Sequence, residues 1–344
     1  MRSTLPKPLH RLCGLPMLIH TLRALDDAQV ERVVIVVGFQ GEEIIKAVQE
    51  DAPAALQIHF VEQPLPRGTG DAVAVALTAF PDDALFEHDD MIVVPGDAPL
   101  IRPETLVELV EEHHSHDAAA TLLTSVLADP TGYGRIVRST TDEVQKVVEQ
   151  SDATFEQLAL SEVGTSIYCF DRSVLAPSLR RLRPNNAKGE YYLTDVIEVL
   201  HQAGYRVRAM LAKDASETLG VNDRAQLAAA ETVLRARIND RWMRKGVTMV
   251  DPLATYVDVT VELAEDVTLE APVHLEGTTR IGRGAVIGPF SRLVDTMVGE
   301  GARVDATTAT SAVIGADARV GPFVFLGPGV HVTPYRSTGP FVSE

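Results

Sequence analysis

The sequence predicts an α/β protein in two parts: a doubly wound, Rossmann-like domain followed by a connecting helix and a parallel β-helix. Three observations carry that prediction. Helix-like and strand-like segments alternate from Met17 to about Gly220. The strand-like runs are apolar on both faces, as strands covered by helices are. Beyond Asp251-Pro252 helical periodicity stops, and an aliphatic residue followed by a small one recurs about every six positions.

The first domain takes residues 1–222. Residues 17–28 have the periodicity of an amphipathic helix. Arg32-Val33-Val34-Ile35-Val36-Val37-Gly38 is a β-branched strand ended by glycine, and residues 42–48 return to helix. Residues 57–61 and 91–97 read as two further strands, the last with the Asp97 carboxylate at its C-terminal end. Such runs predict a parallel sheet, and ligands bind such sheets beyond the carboxyl ends of the strands. Residues 223–250 connect, chiefly as a helix rich in Ala, Leu and Arg. Residues 251–344 contain Ile281-Gly282, Ile287-Gly288, Val298-Gly299, Ile314-Gly315 and Val320-Gly321, the corner pairs of hexapeptide coils.

Composition excludes several classes. The 344 residues carry 31 basic against 48 acidic side chains, a net charge of −17. A nucleic-acid binder normally shows a basic stripe instead. An anionic nucleotide must therefore be met by local cations or a metal, against the overall field. Two cysteines, Cys13 and Cys169, make neither a disulfide framework nor a zinc site. No apolar run reaches membrane-spanning length and no signal-peptide core opens the chain, so a cytoplasmic protein with no membrane partner is expected.

Several residues carry candidate chemistry. Gly68-Thr69-Gly70-Asp71-Ala72 lies between a strand and an Ala-rich helix, where bare backbone can approach a base or phosphate; it also reads as an ordinary loop. Gln63, five residues earlier, offers a donor and an acceptor to a base edge, or is merely solvated. Asp97 suits a hard cation, or else caps the helix near Pro103. Asn222 offers an oxygen ligand or an N-cap. Lys7, between two prolines, is a phosphate-binding lysine or a solvated one. Thr131-Gly132-Tyr133-Gly134 reads as a turn. Glu111-Glu112-His113-His114-Ser115-His116 reads as a helix end, whose negative dipole suits imidazoles, in preference to a metal site.

The segments Leu5-Pro6-Lys7-Pro8-Leu9-His10, Arg67-Gly68-Thr69-Gly70, Pro95-Gly96-Asp97-Ala98-Pro99-Leu100 and Asn185-Asn186-Ala187-Lys188-Gly189-Glu190-Tyr191-Tyr192-Leu193-Thr194-Asp195 resemble one family. It is the bacterial bifunctional N-acetylglucosamine-1-phosphate uridylyltransferase/glucosamine-1-phosphate acetyltransferase family, in its nucleotidyltransferase half and the first coils of its left-handed β-helix. The resemblance implies transfer of UMP from UTP to N-acetylglucosamine 1-phosphate, with release of pyrophosphate, in amino-sugar nucleotide synthesis for the cell wall. It implies Mg²⁺ on Asp97 and Asn222, and Lys7 with Asp97 as the catalytic pair. Gln63, Gly68, Thr69 and Gly96 are the implied nucleotide contacts. Gly134 and Glu149 are the implied sugar contacts, with Glu190 and Tyr192 shaping the N-acetyl pocket. A homotrimer is implied as well.

Three departures accompany the resemblance. Glu162-Val163-Gly164-Thr165-Ser166 has Gly164 where the family has an asparagine that bonds the amino sugar. The family's opening strand and glycine-rich turn have no counterpart, since Met1 falls where the last Met of that turn stands; an apolar scar on the sheet is expected there. The acetyltransferase histidine, lysine and Asn-Tyr-Asp-Gly segment are also missing, so no acetyl transfer is expected. These departures keep two other readings open: a non-catalytic fragment or binding protein that retains the β-helix, and a nucleotidyltransferase for another sugar 1-phosphate.

Overall fold

The structure, a computed structural model, describes residues 1–38, 40–80 and 90–343. They form two compact units, one of residues 1–10 and 16–226, the other of residues 11–15 and 227–344. The long helix Arg224–Arg244 thus falls mostly within the second unit, although the sequence reads it as a separate connector. The short segment 11–15 joins the same unit. Its Cys13 N–H donates to Glu231 at 2.9 Å and its Cys13 carbonyl accepts from Val259 at 3.0 Å.

In the first unit, helix Met17–Asp27 buries Met17, Leu18, Ile19, Leu22 and Leu25, the stripe its periodicity requires. Strands Arg32–Val37 and Gln57–Glu62 pair in parallel. A larger sheet runs Val207–Leu211, Ala120–Val126, Glu162–Asp171, Gly134–Arg138, Val144–Val148, with Asp90–Val93 also on Glu162–Asp171. Val207–Leu211 is parallel to Ala120–Val126, but Glu162–Asp171 is antiparallel to all three of its neighbours. The sheet is therefore mixed, which corrects the expectation of parallel pairing within the α/β class. An apolar run reports that both faces of a strand are buried; it carries no record of the partner's direction. Helices Pro103–Ser115 and Asp195–Gln202 pack on this sheet, and Leu122, Phe170, Leu175, Val196, Ile197 and Leu200 fill the core. Each such side chain contributes about 1.5–3 kcal/mol by leaving water.

The long Glu162–Asp171 strand positions the site. Val93 lies opposite Tyr168 and Gly134 lies opposite Gly164, so the exit of one strand and the entry of another meet over its middle. The strand expected over residues 91–97 ends at Val93, and residues 94–97 become the loop that carries Asp97.

Arg32–Val37 and Asp90–Val93 are each paired along one edge, and no other described strand pairs with either. Consecutive residues of both, Arg32 to Val36 and Asp90 to Val94, border a single cavity of about 1310 Å³. Consecutive residues, where a strand's face would contribute alternate ones, mean that the two strand edges line this slot.

The second unit is a parallel β-solenoid of three sheets, with six, five and five strands among the described residues. Each strand pairs with the equivalent one a coil later, so like residues stack. Leu269, Ile287, Val304, Val320 and Thr338 form one inward column, and Leu263, Ile281, Val298, Ile314 and Val332 another. Gly299 and Gly315 are corners where an added Cβ would come within 2.5 Å of the next coil's backbone, which explains the small residue in each repeat.

Candidate active site

The Pro6-Lys7-Pro8 segment forms the start of a one-turn helix, Lys7–Leu9, which holds Lys7 in place. Its ammonium donates to Asp97 Oδ2, and to Asn222 Oδ1 at 2.6 Å. Two oxygens from distant parts of the chain thus converge on one cation. The capping roles open to Asp97 and Asn222 are taken by other residues. Helix Pro103–Ser115 has no side-chain cap; Glu217, buried, accepts from Arg102 N–H at 3.3 Å and Thr105 Oγ1 at 2.8 Å. At the helix after Asn222, Asp223 accepts from Gln226 N–H at 2.8 Å, so the cap is Asp223. The Asn222 side chain turns to Lys7 instead.

Backbone contacts hold the Asn222 loop. Val221 N–H donates to the Asp97 carbonyl at 3.1 Å, and Gly220 N–H to the Tyr133 hydroxyl at 3.3 Å. Burial, with the nearby Asp97 charge, raises the Tyr133 phenol above its usual range. Tyr133 thereby links the Gly132-Tyr133-Gly134 turn to the Asp97 and Asn222 pair. The sequence shows that segment only as a turn, because the bond bridges 87 positions.

The Gly68-Thr69-Gly70 turn opens helix Thr69–Leu77 and is clamped by residues 190–193. Tyr191 N–H donates to the Arg67 carbonyl at 2.7 Å, Gly70 N–H to the Tyr191 carbonyl at 2.8 Å, and Leu193 N–H to Thr69 Oγ1 at 3.0 Å. A Cβ on Gly68, whose φ is +112°, would stand 2.5 Å from the Tyr191 carbonyl oxygen. The glycine is therefore required by packing whether or not a ligand approaches it. Gln63 donates through its amide nitrogen to Asp71 Oδ2 at 2.7 Å and to the Gly68 carbonyl at 3.3 Å. Its donor side is already occupied, which leaves the acceptor.

Also lining the cavity, Glu149 accepts at Oε1 from Thr194 Oγ1 at 3.1 Å. Burial, followed by Glu198, Glu149 and Asp152, pushes the Asp195 carboxyl up to about 6. Glu190 is held through its backbone by Asn186, at 3.1 Å and 2.6 Å, while Lys188 Nζ lies 6.0 Å from the Tyr192 ring centre. Gly164, buried, would tolerate a side chain's first atom: a Cβ there would make ordinary contacts of 3.4 Å to Val147 and 3.6 Å to Ile136.

Thr69, Gly96, Asp97, Gly134, Glu149, Gly164, Glu190, Tyr192 and Asn222 all line the 1310 Å³ cavity. Lys7 joins them through Asp97 and Asn222; Gln63 and Gly68 adjoin through Thr69. The residues that sequence reasoning left without a role are Tyr133, Asp71 and Thr194. Each lies in the same short segment as a candidate residue, which is the one signal that could have drawn attention to them. The histidine run behaves as a helix end: His113, buried, faces Thr121 Oγ1 at 3.0 Å and Asp90 at 3.4 Å, and His114 contacts Asp90. Among the described residues no group of three or more His, Cys, Asp or Glu could hold a metal.

Residues 2–244 match the nucleotidyl transferase family. The bifunctional protein GlmU of Kineococcus radiotolerans is 45% identical over 99% of this chain and 68% of its own length. The chain belongs to the GlmU family of nucleotidyl transferases. GlmU of Desulfitobacterium hafniense is 43% identical over 99% of this chain and 73% of its own, and that of Mycolicibacterium vanbaalenii 44% over 99% and 69%. Among solved structures, HddC from Yersinia pseudotuberculosis superposes with a TM-score of 0.50 at 16% identity, over 68% of this chain and 92% of its own. That likeness establishes the α/β fold of the first unit. As a GlmU-family chain, the protein is a transferase of the sugar-phosphate nucleotidyl class.

Proposed function

We propose that this chain transfers UMP from UTP to N-acetylglucosamine 1-phosphate. The observation that carries the reading is the convergence of Lys7, Asp97 and Asn222 at a cavity also lined by Gly134, Glu149, Glu190 and Tyr192. In the reaction a phosphate oxygen of the sugar 1-phosphate forms a bond to the α-phosphorus of UTP. The bond from that phosphorus to the bridging oxygen breaks, and pyrophosphate leaves with the electron pair. Such a transfer needs alignment and charge neutralisation more than a covalent partner.

The donor set fits a divalent cation, because a carboxylate and an amide oxygen already meet around the Lys7 ammonium. Asp97 and Asn222 would hold Mg²⁺, which when bound supplies neutralisation of the phosphate charges. Lys7 then turns its ammonium to the phosphate oxygens, which the chain's net charge of −17 otherwise repels. Glu149 accepts from sugar hydroxyls while Thr194 holds its other contact, and Gly134 presents backbone. Glu190 and Tyr192 border the acetamido group.

One observation favours a second reading. Gly164 leaves empty the place of a side chain that could bond the acetamido group, so a sugar 1-phosphate without that group is the alternative acceptor. The test is pyrophosphate release by the purified chain with UTP and Mg²⁺, run in parallel with N-acetylglucosamine 1-phosphate, glucosamine 1-phosphate and glucose 1-phosphate. Release greatest with the N-acetylated sugar supports the first reading, and release greatest with glucose 1-phosphate supports the second. Release no faster than in an Asp97→Asn variant with every sugar overturns both.

A further inference from the structure

The end of Gln63 is enclosed on one side by two oxygens that can only accept: Asp71 Oδ2 at 2.7 Å and the Gly68 carbonyl at 3.3 Å. The carboxamide has two N–H hydrogens, and both are consumed there. Turned over, the amide would set its own oxygen against both acceptors, giving up two hydrogen bonds for repulsion. Its backbone is fixed as well, since Gln63 N–H donates to the Val37 carbonyl at 2.8 Å. Asp71 lies in the first turn of helix Thr69–Leu77, where the positive end of the helix favours a carboxylate. Gln63 therefore has one orientation, with Oε1 as the end left for a ligand.

We infer that Asp71 is a positioning residue that sets base specificity: by locking Gln63 as an acceptor, it selects a nucleobase that presents an imide N–H and rejects cytosine. Uracil carries that N–H at its ring position 3, where cytosine has a lone pair instead. The same rule admits thymine. The inference deepens the uridine-nucleotide reading above and rests on it. Asp71 touches no base itself; it acts through the amide it orients.

The test is a calorimetric titration of the whole chain, in Mg²⁺, with UTP and with CTP. The parent, Asp71→Asn and Gln63→Ala are compared. Asparagine can donate as well as accept, so in Asp71→Asn the Gln63 amide can turn over and meet either base. The parent is expected to favour UTP by at least roughly tenfold. Asp71→Asn should bring that ratio close to one, mainly by binding CTP better, and Gln63→Ala should also narrow it. Equal affinities in the parent, or an unchanged ratio in Asp71→Asn, overturn the inference while leaving nucleotide binding intact. Failure of the parent to bind either nucleotide would instead overturn the proposed function. The orientation has a readout that needs no nucleotide. In ¹⁵N–¹H spectra, the side-chain amide signal that vanishes in Gln63→Ala should exchange slowly in the parent and rapidly in Asp71→Asn. Exchange in the parent as fast as for exposed glutamines overturns the role of Asp71. If Asp71→Asn does not fold, Asp71→Ser serves for the same comparison.

Discussion

Lys7 Nζ lies 2.6 Å from Asn222 Oδ1, a hydrogen bond that spans 215 positions of the chain. The same ammonium contacts Asp97, so one cation gathers the two oxygens proposed for the metal. The arrangement makes the charge on Asp97 decisive. Asp97→Asn keeps the shape and one acceptor oxygen but removes the charge, and an amide holds a hard cation far less well. Turnover is expected to fall on the order of a hundredfold or more with the melting temperature little changed. Steady-state pyrophosphate release, measured across a Mg²⁺ titration, checks this; activity within a few-fold of the parent excludes Asp97 as a ligand.

Gly164→Asn is expected to lower the KM for N-acetylglucosamine 1-phosphate several-fold, by adding about one directed hydrogen bond. Sterics permit it, because the new Cβ meets Val147 and Ile136 at 3.4 and 3.6 Å. Kinetics against glucose 1-phosphate give the control, whose KM should not improve. A KM that rises for both sugars would show that the space serves packing instead.

Asp195 makes stability depend on pH. Its carboxyl is raised from 3.8 to about 6, chiefly by burial and then by Glu198, Glu149 and Asp152, so the folded state holds its proton more tightly than the unfolded chain. Between about pH 4 and 6 the folded state binds more protons, and its contribution to stability falls as pH rises. Asp195→Asn removes the cost of the charge. The variant should melt higher than the parent at pH 7.5 and equally at pH 4; a uniform offset at both values would contradict the assignment.

The solenoid's outer surface exposes aromatic side chains. Phe290, Phe323 and Phe341 are 75%, 61% and 80% accessible, and the last two stack at 5.5 Å. Apolar surface of this kind marks an association face. We propose a homotrimer, and sedimentation equilibrium at micromolar concentration should return three times the 37.2 kDa chain mass. A single-chain mass would refute it. Phe323→Ser should weaken the assembly without changing the melting profile of the first unit.

The two strand edges at Arg32–Val37 and Asp90–Val93 offer hydrogen-bonding groups to a strand between them. An apolar, glycine-terminated strand segment fused ahead of Met1 is therefore expected to raise the melting temperature by several degrees. An unchanged melting curve would show that the slot is already satisfied.

Some of this was legible residue by residue. The hexapeptide coils declare themselves because each contact is with the equivalent residue one coil later, so local spacing is also tertiary spacing. Helix Met17–Asp27 and strands Arg32–Val37 and Gln57–Glu62 were readable because burial of a stripe or of both faces writes a local period. Motif resemblance led to Lys7, Asp97, Gly134, Glu149 and Asn222, which the fold brings to one cavity rim. Strand direction was not legible: Glu162–Asp171 runs antiparallel to its neighbours, yet its apolar residues would look the same in either sense. Nor could the sequence choose between capping and ligation for Asn222. In the fold Asp223 takes the cap, and Lys7 draws the Asn222 oxygen. Orientation of Gln63 by Asp71 and suspension of Gly220 from Tyr133 were likewise decided in three dimensions, because a hydrogen bond depends on the direction in which two groups meet and a sequence records only their identities.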